Sequence, residues 1–117
     1  MTIILYGISN CDTIKKARAW LDAHKLDYVF HDYKTTGINA EHLQRWCKEL
    51  GWETPLNRSG TTFRKLPEAE KQGIDAGKAV ALMLAQPSMI KRPVLDLGKQ
   101  RLVGFKPELY ERALRAN

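Results

Sequence analysis

The order of apolar and polar residues divides the chain into short elements of two different periods. Thr2 to Tyr6 (TIILY) is a β-branched and aromatic run, and Gly7, Ser9 and Asn10 then break it, which predicts a buried strand and a tight loop. From Cys11 to about His24 the period changes. Ile14, Ala17, Trp20 and Leu21 recur three and four apart and predict one apolar helix face. Leu26 to Tyr33 alternates, with Leu26, Tyr28, Phe30 and Asp32 on one side, and predicts a second strand that ends before Gly37. Asn39 is placed to cap a helix striped by Leu43, Trp46, Cys47 and Leu50, with Gly51 at its C-terminal end. Pro55 to Gly60 reads as loop, and Thr62 to Leu66 as one helical turn stopped by Pro67. Asp75 can cap a helix through Ala79, Val80, Leu82, Met83 and Leu84 that ends before Pro87. Val94–Leu95 and Arg101–Val103 predict a hairpin turning at Gly98, and Pro107 opens a last helix carrying Leu109, Ala113 and Leu114.

The predicted order is β-α-β, a helical middle, then β-β-α. That alternation implies an α/β protein of thioredoxin-like, three-layer type with a mixed sheet. The core is expected at about 1–36 and 88–117, with a helical insertion at about 39–86.

The length of 117 residues accommodates a single domain with a sufficient core of its own. Hydrophobic content of 44% and charged content of 27% are ordinary for a globular chain and exclude disorder and collagen-like or coiled-coil arrays. No apolar run approaches the roughly 18 residues of a membrane helix. The first residues, MTIILYG, lack a basic segment and carry too short an apolar run for a signal peptide, so the cytoplasm is the expected compartment. The net charge of +6 suits an anionic partner. The segment from Pro87 to Asn117 is the most basic, with seven Lys/Arg against three Asp/Glu. Its charges are spaced singly between apolar residues, unlike a nucleic-acid-binding arm.

The two cysteines, Cys11 and Cys47, make neither a disulfide framework nor a metal site. Cys47 falls on an apolar helix stripe and is expected in the core. Cys11 falls where the first strand turns into the first helix. Unpaired N–H groups and the positive end of the helix dipole favour a thiolate there, and Lys15, one turn on, adds positive charge. Asp12 opposes this, although its side chain can cap the helix. A lowered thiol pKa and a nucleophilic role are expected for Cys11. Ile14 stands three residues on, so there is no local CxxC pair, and the resolving thiol must come from elsewhere. Glutathione is the abundant candidate. His24, His31 and His42 have no metal-ligand or triad spacing.

The stretch LYGISNCDTIKKARAWLDAH, with FRKLP at 63–67, KRPVL at 91–95 and LVGFKPE at 102–108, resembles the ArsC family of arsenate reductases, YffB proteins and Spx/MgsR regulators. The resemblance spans nearly the whole chain and is nearest to the YffB branch, which implies a glutathione-dependent thiol reductase. It implies a thioredoxin-like fold with a helical insertion. It also implies that Cys11 is the nucleophile and that Arg64 and Arg92 embrace an anion, for which a guanidinium fork is suited. Where the family has a third arginine, this chain has Lys106. The resemblance further implies a cis Arg92–Pro93 bond beside the nucleophile, with Asn10, Lys15 and Pro93 contacting glutathione. No cofactor is expected to be bound. Glutathione would be a co-substrate, the substrate a small oxyanion or oxidised sulfur, and glutaredoxin a candidate partner. Two departures bear on substrate. The His-Asn-Pro of arsenate reductases is replaced after Tyr6 by Gly7, Ile8 and Ser9, and the second cysteine of the Spx switch is replaced by Ile14. The competing implication is an Spx-like regulator that binds RNA polymerase without a redox switch.

Overall fold

The two periods resolve into strands and helices in the computed structural model, which describes residues 2–9 and 11–115. In chain order the elements are β1 (Ile4–Gly7), α1 (Asp12–Ala23), β2 (Val29–Asp32), α2 (Tyr33–Thr36), α3 (Ala40–Leu50) and α4 (Thr61–Arg64). There follow α5 (Glu68–Lys71), α6 (Ala76–Ala85), a 3-10 turn at Pro87–Met89, β3 (Val94–Asp96), β4 (Arg101–Val103) and α7 (Pro107–Arg115). They form two compact units, Met1–Thr36 with Arg92–Asn117, and Gly37–Lys91. Among the described residues no helix is long and apolar enough to cross a membrane.

The first unit holds a four-stranded mixed sheet in the order β2-β1-β3-β4. β1 runs parallel to β2 and antiparallel to β3, and β3 and β4 form the antiparallel hairpin. This is the thioredoxin-like arrangement. Register places Phe30, Leu5, Leu95 and Leu102 in one row across the sheet. Leu5 and Leu95 are fully buried there against Ala17 and Leu21 of α1 and Tyr110 and Ala113 of α7, so both helices cover one face. Burying each such leucine stabilises the fold by about 1.5–3 kcal/mol. The next row, His31, Tyr6, Val94 and Val103, points to the opposite face because strand side chains alternate.

β2 is shorter than the alternation predicts at both ends. Lys25 takes a left-handed conformation, φ 57°, and the Leu26 N–H donates to the Leu21 carbonyl at 3.1 Å, so these residues close α1. Leu26 and Tyr28 still pack on the same face as Phe30, as the alternation implied. At the far end the Asp32 carboxylate accepts from the Lys34 N–H at 2.8 Å, which turns the chain into α2 at Tyr33. The β3–β4 hairpin needs Gly98 at φ 85°, where its N–H donates to the Asp96 carboxylate at 2.8 Å.

In the second unit the side chain of Asn39 caps α3 by accepting from the His42 N–H at 2.9 Å, and Asp75 caps α6 through the Lys78 N–H at 2.8 Å. α3 and α6 pack through Leu43, Trp46 and Cys47 on one and Ala79, Val80 and Met83 on the other, all buried. The segment expected to be a plain loop at 55–60 is partly ordered by backbone pairing. Leu56 and Ile90 form an antiparallel bridge, flanked by Lys91 N–H to the Pro55 carbonyl at 2.7 Å and Asn57 N–H to the Met89 carbonyl at 2.8 Å. Pro67, read as a stop, is also the residue from which α5 starts.

Candidate active site at one end of the sheet

Strand register brings the candidate residues of the first unit to one sheet end. Gly7 ends β1 and pairs with Asp32, the last residue of β2. Tyr6 pairs with Val94, so the preceding Arg92–Pro93 peptide, which is cis, lies beside the end of β1. The Gly104 N–H donates to the Pro93 carbonyl at 2.8 Å. The end of β4, and Lys106 two residues beyond Gly104, therefore belong to this end too. Ile8 and Ser9, the described residues between β1 and Cys11, leave β1 at the same place.

Cys11 is the N-cap residue of α1, with extended backbone at φ −139° and ψ 128° and no side-chain capping bond. Its carbonyl accepts from the Lys15 N–H at 3.0 Å, the first hydrogen bond of the helix. The thiol is partly exposed and stands at the positive end of a twelve-residue helix. Asp12, expected as a capping side chain, is instead the first helical residue, exposed in the first turn. Ile14 is fully buried and fixes the rotation of the helix. A Cβ at Gly7 would come within 2.9 Å of Ile14 Cγ1, so only glycine lets the end of β1 pass this close to α1.

Asp32 is the buried charged residue that ties this end together. It accepts from the Ser9 N–H at 3.2 Å through Oδ2 and from the Lys34 N–H at 2.8 Å through Oδ1. Burial alone would push its carboxyl up. The N–H groups of Lys34, Ser9 and Thr35 act the other way and hold it below its ordinary value. The loop that delivers Cys11 is thus anchored on β2. Alternation in the sequence placed Asp32 inward but carried no signal for its partner, Ser9, which is 23 residues away.

On the opposite face an aromatic group backs the same end. The rings of Tyr6 and His31 lie 4.8 Å apart, and Tyr6 stacks on Tyr33 at 6.3 Å with 17° between planes. Tyr33 is 2% exposed, and its buried hydroxyl has no hydrogen-bond partner. Burial and, secondly, Tyr6 raise its pKa far above the ordinary phenol value, while the Arg92 charge pulls it down. Neither Tyr33 nor Asp32 was singled out as a site residue from the sequence. The only signal there was their position at the end of the second alternating run.

Of the residues expected at the site, Cys11, Arg92, Pro93 and Lys106 belong to this sheet end. Arg92 is partly exposed, Pro93 buried and Lys106 exposed. The Lys106 carbonyl starts α7 by accepting from the N–H groups of Leu109 and Tyr110. Lys15 is exposed on α1, and Asn10 lies outside the described residues. Arg64 belongs to the second unit. It is the exposed last residue of α4, and its carbonyl accepts from Lys71 Nζ at 2.7 Å. Cys47 is buried in α3, and that burial pushes its thiol up. His24 and His42 sit at helix ends, stacked on Trp20 and bonded to Asn39 respectively. Among the described residues, no group of three or more His, Cys, Asp or Glu side chains could hold a metal ion.

The model of the ArsC family matches residues 6–113. A solved structure of a YffB protein is 67% identical, with a TM-score of 0.93, covering 96% of this chain and 98% of that one. The solution structure of an arsenate reductase (ArsC) related protein from Brucella melitensis is 58% identical, with a TM-score of 0.78, over 96% of this chain and 93% of that one. The global transcriptional regulator Spx of Streptococcus pneumoniae is 27% identical, over 91% of this chain and 80% of its own length.

Proposed function

Because the chain belongs to the ArsC family, we propose that it is a thiol reductase with Cys11 as nucleophile and glutathione as reductant. The observation that carries this reading is the position of Cys11, a partly exposed thiol at the N-terminus of α1 with no side-chain capping bond of its own. The positive end of the helix dipole there favours the negative charge that develops on sulfur as the exchange proceeds. Tetrahedral or carboxylate anions suit Arg92 and Lys106, and the lysine supplies charge without the fork. The role of Arg64, which lies in the other unit, rests on the family resemblance.

In the proposed cycle the Cys11 thiolate attacks the glutathione sulfur of a mixed disulfide. A bond forms between Cys11 Sγ and that sulfur, the substrate disulfide breaks, and the substrate leaves as a thiolate that takes a proton. A second glutathione thiolate then attacks the adduct, releasing oxidised glutathione and restoring the Cys11 thiolate. Reduced glutaredoxin could carry out the second step in place of glutathione. Ile14 occupies the place where a local resolving cysteine would stand, which is why an external thiol is needed.

Incubation with oxidised glutathione followed by peptide mass spectrometry tests the reading. The expected result is one glutathione adduct on Cys11 and none on Cys47 in the folded protein. An unmodified Cys11 would overturn it. The likeness to Spx favours a second reading, a regulatory protein, for which Cys11→Ser would leave the biological effect intact.

A further inference from the structure

We infer that Tyr33 is a positioning residue for Arg92: when an anion binds, the buried hydroxyl takes a guanidinium N–H and holds the fork on its ligand. This rests on the reading of Arg92 as an anion-binding residue at the Cys11 site.

A phenol oxygen buried without a partner is costly, and native proteins seldom keep one without use. Tyr33 is 2% exposed and its hydroxyl is unpartnered. The ring is held by two neighbouring aromatic side chains. It stacks on Tyr6 at 6.3 Å and meets the edge of His31 at 6.4 Å, so the hydroxyl cannot swing to water to satisfy itself. The backbone is pinned at the same point, because Asp32 holds the Lys34 N–H and starts α2. Tyr6, on which Tyr33 stacks, pairs with Val94, two residues after Arg92, so Arg92 enters the sheet at this end, and its positive charge acts on the hydroxyl alongside the opposing effect of Tyr6. Arg92 for its part has no ion-pair or hydrogen-bond partner among the described residues, and it directly precedes the cis peptide at the start of β3.

A guanidinium has five N–H donors in a plane, and a bidentate anion uses two. A fixed acceptor behind the plane can take a third and set the direction of the fork. A phenol suits this place better than a carboxylate would. It accepts the bond without neutralising the cation, and burial keeps it protonated and uncharged at working pH. Phenylalanine would fill the same volume and lose only the oxygen.

The test is inorganic sulfate binding by titration calorimetry to four proteins: wild type, Tyr33→Phe, Arg92→Lys and the double variant. Melting temperature and glutathione labelling of Cys11 are read on each. Tyr33→Phe is expected to bind sulfate about fivefold more weakly, the loss of one hydrogen bond. Its melting temperature should be equal to or above that of wild type, because an unsatisfied buried oxygen has gone. In the Arg92→Lys background the same change should cost little more, since the group it acts through has already lost its fork. Unchanged sulfate affinity in Tyr33→Phe would overturn the inference, as would an equal loss in both backgrounds or a loss accompanied by a lower melting temperature. A wild type that binds sulfate no better than Arg92→Lys would remove the anion role of Arg92 and the inference with it. Failure of Cys11 to take glutathione, with the sulfate result intact, would instead refute the reductase reading alone.

Discussion

Asp32→Asn isolates the hydrogen bond that ties the Cys11 loop to the sheet. The aspartate's two oxygens accept from the Lys34 N–H at 2.8 Å and the Ser9 N–H at 3.2 Å, with the Thr35 N–H and the Ser9 side chain also favouring its charge. Asparagine keeps the shape but has one oxygen and one NH2 group. The shorter bond to Lys34 is retained, and the NH2 then faces the Ser9 N–H, donor against donor. A bond to a charged acceptor contributes about 1.5–3 kcal/mol, and the length of the Ser9 bond argues for the lower end, about 1.5 kcal/mol. Urea unfolding at neutral pH should show that loss. The folded carboxyl is held below its ordinary value of 3.8, so the unfolded state binds protons more readily. The carboxylate's contribution is therefore fully present above the unfolded pKa and is lost as pH falls through the lower, folded one. The stability gap between wild type and Asp32→Asn should shrink over that acid window and nowhere above it. Because Ser9 lies two residues before Cys11, glutathione labelling of Cys11 should also slow in the variant. A gap that stays constant from neutral pH down through the carboxylate range would refute the assignment of these bonds to a charged Asp32. Unchanged labelling would refute the claim that Asp32 positions the loop.

Gly7→Ala should destabilise by about 1–3 kcal/mol through crowding of Ile14, and the double variant Gly7→Ala/Ile14→Ala should lose much less than the sum of its parts in urea unfolding. Arg64→Lys keeps the charge and loses the fork, so the KM for an anionic substrate should rise with the melting temperature unchanged. Equal KM values would refute the anion-binding role that the family resemblance implies for Arg64.

The strands and helices could be read from the sequence because period and punctuation are local properties. The helix face of Ile14, Ala17 and Leu21, the caps at Asn39 and Asp75, and the turn at Gly98 depend on neighbours a few residues away. Cys11 was legible for the same reason, since a cysteine between a strand and a helix stands at a dipole whatever the rest of the chain does. The cis Arg92–Pro93 bond was legible only through the family resemblance, because no local rule distinguishes it from a trans one. Asp32 and Tyr33 became readable only in three dimensions. The alternating run placed an acid at an inward position, where a bare charge would be unfavourable, and the Ser9 N–H that stabilises it arrives from the end of a different strand. Tyr33 read as the last residue of a strand. The turn begun by Asp32 puts it instead at the start of α2, where its ring meets Tyr6 and its hydroxyl meets the field of Arg92, 59 positions further along the chain. Periodicity determines which side of an element is apolar. Which polar groups share a strand end depends on β1 pairing in parallel with β2 and antiparallel with β3, and that choice is made by the packing of the whole sheet.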